Sequence, residues 1–426
     1  MRDERQFLKF LFDRAVAAAR PATLVPRQLA RPPKGRTLVI GAGKAAASMA
    51  RAVEDNWPAT LSGLVVTPYG HSLACERIEV VEAAHPIPDT AGQDAARRML
   101  EMVRDTCDED LVLCLLSGGG SALLSMPADG IGLEDKQSIT ADLLKSGAHI
   151  AEINCVRKHL SAIKGGRLAV ACSPAKLMTL AISDVPGNDI SAIASGPTLA
   201  DETTSNMALD ILRKYDIAAP DSVLRWLEDP ASETPKPHDP VFSRSSALIL
   251  ATADDAMIAA AQAARENHVE PLVLGDLAGD ASVLAIEHAA LAIRISAGTG
   301  PVRPPCVVIS GGETTVKVRG RGKGGRNSEY ALALAIALDA HPGIYAIACD
   351  TDGIDGTEDN AGCYVTPSSL QRAEIQSLDA KGLLESNDSY RFFSVTGDLV
   401  VTGPTRTNVN DFRAILIRAQ VGPSDK

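Results

Sequence analysis

Short, continuously apolar runs alternate along this chain with Ala-rich stretches of helical length, and that alternation limits the fold more than any other feature. Thr37–Ile40, Leu64–Thr67, Leu111–Leu116, Leu177–Ile182, Ala247–Leu250, Pro271–Leu274, Cys306–Ile309, Tyr345–Ala348 and Phe392–Val395 read as strands. Lys44–Val53, Asp94–Val103, Asp255–Asn267, Ala281–Ala297 and Ser328–Asp339 read as helices. Strands apolar on both sides must be covered on both faces, as parallel sheets are when helices connect them. The expected fold class is therefore α/β, with two α/β domains and mainly parallel sheets, as 426 residues allow. The Pro- and charge-rich segment Glu228–Pro240 reads as the boundary, giving domains 1–238 and 239–426.

Hydrophobic residues make up 45% and charged residues 22%, enough apolar surface for packed cores. A net charge of -11 argues against nucleic acid as the main partner, although a local cluster of cations and amides can still hold an anion. The charged, amphipathic start of the chain is unlike a signal peptide, and no apolar run approaches the ~20 residues that span a bilayer. A soluble, cytoplasmic protein with no membrane partner is expected. The eight cysteines form no C-x-x-C pair, and Cys114, Cys306 and Cys349 fall in or beside strand-like runs. They read as reduced core residues. Nothing in the sequence fixes the oligomeric state.

The strand ends carry the chemistry. Five are followed by loops rich in Gly, Ser, Asp and cations: Gly41–Lys44, Ser117–Ser121, Ser183–Gly187, Ser310–Glu313 and Asp350–Gly353. Ligands of open parallel sheets sit at such ends. Gly41-x-Gly43-x-x-Ala46 after a strand fits the Rossmann dinucleotide pattern, so the N-terminal domain is expected to be Rossmann-like. That pattern also wants an acidic residue at the end of the second strand. Here that strand runs out into Thr67-Pro68-Tyr69-Gly70, which weakens a nicotinamide reading. The loop is not a P-loop either. It is a tight turn that holds Lys44 at a helix N-terminus, where the dipole opposes a cation unless an anion binds beside it. An ordinary surface lysine on a strand–helix turn fits the local residues equally well.

Gly118, Gly119 and Gly120, between Ser117 and Ser121, let backbone amides form an anion nest or simply let sheet and helix pack closely. Gly320–Arg326 (GRGKGGR) reads as a mobile basic loop able to cover phosphates, with Asn327 where a helix cap is expected. Asp184, Asp189, Asp350 and Asp352 are the metal candidates, since nucleotide-bound Mg2+ needs only one or two carboxylates. Each also suits an ordinary turn. His85 and His159 read as structural, and no H-E-x-x-H or G-x-S-x-G motif occurs.

Taken in order, GAGKAA (41–46), HPIPD (85–89), LLSGGGSAL (115–123), INCVRKHLSAIKGGRLA (153–169), ISDVPGNDISAIASGPT (182–198), SGGETTV (310–316), GKGGRNSE (322–329), DTDGIDGT (350–357) and TGPTRTNVND (402–411) resemble the glycerate 2-kinases, built from a glycerate-kinase domain and a MOFRL domain. The resemblance covers nearly the whole chain. It implies γ-phosphoryl transfer from ATP to glycerate, mostly at the 2-hydroxyl, with Mg2+, in a cleft between the domains. It implies catalytic roles for Lys44 and Arg326, and substrate or phosphate contacts from Gly43, Ser117–Ser121, Arg157 and Lys164. Gly311, Gly312, Glu313, Gly325 and Asn327 would contact nucleotide, and Asp184, Asp189 and Asp352 the metal. Two positions depart from the family pattern: Asn188 stands where many relatives have Asp, and Asp254 where Asn is expected. Some relatives are called hydroxypyruvate reductases, so an NAD(P)H-dependent reductase is the rival reading. A non-catalytic sugar-acid sensor would not need so many charged loops.

Overall fold

The structure, a computed structural model, describes residues 3–419. Its chain forms two compact units: Pro21–Leu250, and the described residues before and after that segment.

The Pro21–Leu250 unit is built on strands β1 (Thr37–Ala42), β2 (Ser62–Pro68), β3 (Ile78–Ala83), β4 (Leu111–Leu116), β5 (Lys176–Ile182) and β6 (Ser245–Ala251), in the spatial order β3-β2-β1-β4-β5-β6. β1 pairs in parallel with β2 and β4, as β2 does with β3 and β4 with β5. This is a doubly wound order, with its reversal between β1 and β4. β1 and β4 are buried along their whole length, so an all-apolar LVLCLL run is what the centre of the sheet requires. Helices Ala46–Asn56, Thr90–Val103 and Arg167–Cys172 follow β1, precede β4 and precede β5. A second apolar cluster lies among helices Leu133–Lys145, Ile150–His159, Ser205–Lys214 and Asp221–Glu228, around Ile139, Leu143, Ile153, Val156 and Leu212.

In the other unit, β7 (Glu270–Asp276), β9 (Cys306–Gly311), β11 (Ile344–Asp350), β12 (Gly362–Val365), β13 (Leu399–Val400) and β14 (Asp411–Ile417) run in the order β13-β12-β11-β14-β9-β7. Two short strands, β8 (Gly279–Asp280) and β10 (Thr314–Thr315), pair separately. Here the expectation of a mainly parallel sheet is corrected. Only β7–β9 is parallel, with helix Ala281–Ser296 in its crossover; the β9–β14, β14–β11, β11–β12 and β12–β13 pairs are antiparallel. A parallel neighbour needs a long crossover, and residues 351–361 join β11 to β12 with no helix. A second correction is Phe392–Val395. These residues lie in helix Ser389–Thr396, where Phe392 and Phe393 are buried together, because an apolar run this short does not declare its period.

The units differ from the split drawn near residue 238. Helix Glu4–Ala18 belongs with the C-terminal residues. Its stripe of Phe7, Leu8, Leu11, Phe12 and Ala15 is buried, Phe12 stacks 6.1 Å from Phe412, and Ala19 O accepts the Thr407 hydroxyl at 2.7 Å. Glu228–Pro240 is not a free linker. Arg167 donates to the carbonyls of Ala231, Ser232 and Glu233, and Thr234 donates to Asp201, so the first unit extends through β6.

Helix Arg326–Leu338 illustrates how local and distant sequence combine. Its N-cap is Gly325, not Asn327, and Gly325 offers no side chain to the helix start. The buried Asp355 carboxylate does that work, accepting from Asn327 N (2.9 Å), Ser328 N (2.7 Å) and Ser328 Oγ (2.6 Å). Asp355→Ala should strand these buried donors and cost about 2–4 kcal/mol. Thermal melts of the variant check this; an unchanged melting temperature would show that the carboxylate is not the cap.

Candidate active site

At the β1/β4 reversal the two loops lock together. Lys44 N donates to Gly118 O at 2.8 Å, Ala45 N to Ser117 Oγ at 2.9 Å, and Gly43 N to Val66 O at 3.0 Å. Gly43 has φ +139°, and a Cβ there would sit 2.2 Å from Ser117 Oγ, so only glycine lets the loops close. The amides at 43–45 are thus engaged within the protein. Those of Gly118 and Gly119 donate to no protein acceptor among the described residues. Gly119, at φ +81°, brings this pair against the His85 ring (3.0 Å from an added Cβ) and Lys44 Cγ (3.6 Å). Lys44, His85 and two open amides therefore meet at one place. His85, which the sequence suggests is structural, borders the loop, whereas His159 is buried and bonded to Cys155 O at 2.9 Å.

Below the loop lies a strained turn. Ala194 and Ser195 hold φ +53° and +60°, a conformation costing non-glycine residues about 1–2 kcal/mol each. The turn sends Ser195 Oγ to Ser121 Oγ (2.8 Å) and aims carbonyls at the residues that lead into helix Arg167–Cys172: Gly165 N donates to Ser195 O, and Lys164 Nζ to Ala194 O (3.5 Å) as well as Leu124 O (2.8 Å). Lys164 is only 1% exposed. Lys136, on helix Leu133–Lys145, is 5% exposed, and its Nζ has no hydrogen-bond partner among the described residues. Burial lowers the Lys136 ammonium to about 7, with Arg157 adding to the effect. Burial also pulls Lys164 well down, with help from Lys136 and Arg157. No acidic group is ion-paired to any of the three among the described residues.

Asp184 follows β5 and is half-buried; Asp189 is exposed and caps Ser191 N at 2.9 Å. Asn188 holds φ +57°, which Asn tolerates better than most residues. Among the described residues, no group of three or more His, Cys, Asp or Glu side chains is arranged to hold a metal.

The second unit presents the opposite electrostatics. Arg326 donates through Nε to Asp411 (2.8 Å), through Nη2 to Asp350 (2.8 Å) and through Nη1 to Glu313. Burial works against its charge, but Asp411, Asp350 and Glu313 outweigh burial and hold the guanidinium protonated. Asn327 Nδ2 also donates to Asp411 (2.7 Å), and the buried Arg413 donates to the second Asp411 oxygen (2.5 Å). Asp352 Oδ1 accepts from Ile354 N. Gly311 closes β9, and Gly312 leads to Glu313. The loop expected to be mobile is pinned: Gly320 N, Gly322 N and Lys323 N donate to Asn387 Oδ1, Ser386 O and Asp388 Oδ1. Asp254 lies near Asp276, whose carboxyl is raised by burial first and by Asp254 second.

Residues 7–228 match the model of a domain of unknown function, DUF4147, and residues 306–411 match the MOFRL family. A D-glycerate 2-kinase of Thermotoga maritima is 39% identical over 93% of this chain and 94% of its own length. The chain belongs to the glycerate 2-kinase family. The crystal structure of a glycerate kinase from Thermotoga maritima superposes with a TM-score of 0.87 at 37% identity, covering 97% of this chain and 99% of that one. A protein of Agrobacterium vitis provisionally named as a hydroxypyruvate reductase is 49% identical over 97% of this chain and 94% of its own length.

For this member of the glycerate 2-kinase family, sequence reasoning finds the loops but misses Lys136, Asp355 and Asp411. Lys136 had a signal: it shares the buried stripe of its helix with Ile139 and Leu143, three and seven residues on, where a lysine is out of place. The pairing of Asp355 with Asn327 and of Asp411 with Arg326 had none, since these partners lie 28 residues from Asp355 and 85 from Asp411. The carboxylates around Arg326 yield a prediction. Arg326→Met should leave them mutually repelling and cost about 2–4 kcal/mol. Thermal melts should show the loss, and a further Asp350→Asn change should restore part of it; equal stability of Arg326→Met and the parent would refute the clamp.

Proposed function

We propose that the protein is a glycerate 2-kinase, transferring the γ-phosphoryl group of ATP to the 2-hydroxyl of glycerate with Mg2+ as the nucleotide's counter-ion. The observation that carries this reading is the meeting of Lys44 with the open Gly118 and Gly119 amides at the sheet's reversal point. The D-glycerate 2-kinase relative supports the substrate.

Phosphoryl transfer is catalysed mainly by positioning and by neutralising charge on the equatorial oxygens. Lys44 supplies a compact cation at the nest, and the two amides add oriented donors. Ser117 and Ser121 hold the loop, Ser117 through Ala45 N and Ser121 through Ser195. Arg326 spends three of its five N–H donors on carboxylates and keeps two for an anion, so its direction is fixed in advance. Gly311, Gly312, Glu313, Gly325 and Asn327 frame this guanidinium, and we assign them to the nucleotide side. The half-buried Asp184 and the exposed Asp189 offer hard oxygen ligands of the kind a nucleotide-borne Mg2+ needs, and in the other unit Asp352 offers the same chemistry. When bound, the cation would neutralise phosphate charge.

The reductase reading is disfavoured by one feature. β2 ends at Pro68 and continues into Tyr69-Gly70-His71, so β2 itself offers no carboxylate to a nicotinamide dinucleotide's ribose, and the neighbouring Glu82 carboxylate, from β3, is engaged by Gly70 N at 2.8 Å. Incubation with ATP, Mg2+ and glycerate should yield ADP and 2-phosphoglycerate by phosphorus NMR. Oxidation of NADH by hydroxypyruvate, with no ADP formed, would overturn the assignment. Lys44→Ala should lower kcat by about two to three orders of magnitude while the protein stays folded. A near-normal kcat would remove Lys44 from the mechanism.

A further inference from the structure

The first unit contains a group of cations that phosphoryl transfer does not account for. Among the described residues Lys136 Nζ is buried with no hydrogen-bond partner, Lys164 Nζ donates to the carbonyls of Leu124 and Ala194, and Arg157 acts electrostatically on both. A buried unpaired amine is costly, and three neighbouring cations add repulsion, so a fold keeps such a group only where something repays it. One turn before Arg157 on the same helix, Asn154 Oδ1 is also buried without a hydrogen-bond partner. Residues three apart share a helix face, so this acceptor stands beside the cations. Cations together with an unfilled acceptor match an anion that also carries a hydroxyl donor. The burial of both amines favours a small ligand over a polyphosphate. The group also adjoins the candidate site: Leu124 ends the helical turn after the Gly118–Gly120 loop, and Gln137, next to Lys136, donates to Pro88 O beside His85.

We propose that Lys136, Arg157 and Lys164 form a carboxylate-binding subsite for a small hydroxy acid, with Asn154 accepting from its hydroxyl. On the kinase reading above, on which this rests, the acid is glycerate. Binding is then coupled to proton uptake. Without ligand, Lys136 titrates at about 7, and its surroundings are Arg157 and Lys164, with no acidic group contributing. A carboxylate favours the charged amine and raises its pKa. At pH 8 the free amine is only about a tenth protonated, so binding takes up close to one proton through Lys136. At pH 5.5 that amine already carries its proton, and its share of the uptake vanishes.

Calorimetric titration of the wild-type protein with D- or L-glycerate at pH 8, in Hepes and in Tris, reads this uptake from the dependence on buffer ionisation enthalpy. About one proton or more per glycerate is expected, and none with glycerol, which lacks the carboxylate. Lys136→Met should weaken glycerate binding roughly 10- to 100-fold and lower the uptake, while raising the melting temperature of the ligand-free protein. No uptake by the wild type overturns the proposal whether or not the variant folds. Unchanged glycerate affinity in a folded Lys136→Met protein overturns it too, as does a Lys136-dependent proton taken up with inorganic phosphate but not with glycerate. A separate assay for ADP formation separates the two readings. Uptake without turnover supports the subsite and rejects the kinase, whereas turnover without uptake rejects the subsite alone.

Discussion

The interlock between the loops after β1 and β4 is the constraint on which the first unit's chemistry depends. Lys44 N and Ala45 N, the donors that a bare strand–helix turn would offer to a ligand, are spent on Gly118 O and Ser117 Oγ. The consequence is positional. The second loop is tied to the first, its Gly118 and Gly119 amides are left without a protein acceptor among the described residues, and Lys44 is held beside Gly119. The reversal of strand order at this point supplies the gap in which such a pair of loops can meet. The strained Ala194–Ser195 turn, which ties Ser121 and Lys164 to the same region, shows where the fold tolerates local cost to keep that geometry.

The two units handle charge in opposite ways. In the first, Lys136 and Lys164 are buried with no carboxylate paired to them among the described residues, so their surroundings favour an anion not supplied by the chain. In the second, Arg326 is surrounded by Glu313, Asp350 and Asp411, and its charge is compensated from within. A compensated guanidinium binds an added anion less strongly than a free one but presents it in a set orientation. An uncompensated amine does the reverse, gaining charge as its ligand arrives.

Much of this is legible in the order of the residues. The apolar strands, the glycine loops at their carboxyl ends and the positions of Lys44, Ser117–Ser121 and Asp184 can be read from residue type alone, because a buried parallel strand and a tight turn each demand particular side chains. The second sheet is not legible in that way. Asp411–Ile417 is entirely buried like a parallel strand, yet pairs antiparallel on both sides, and nothing in its own residues states the direction of its neighbours. Phe392–Val395 misleads for the same reason: four apolar residues fit a strand or a helical face equally well.

The sequence by itself determined which segments are buried, where the chain turns and which family the chain resembles, since burial and turn geometry act on residues near one another in the chain. Only the tertiary structure decided the rest. It placed Asp355 on a helix start 28 residues away and drew Asp411 to Arg326 across 85. It moved the first helix into the unit of the C-terminal residues, and it gathered Lys136, Arg157 and Lys164 from separate segments into one group without a counter-ion. Long-range pairing of charges depends on which surfaces the packed sheets and helices bring together, and local residue order does not encode that.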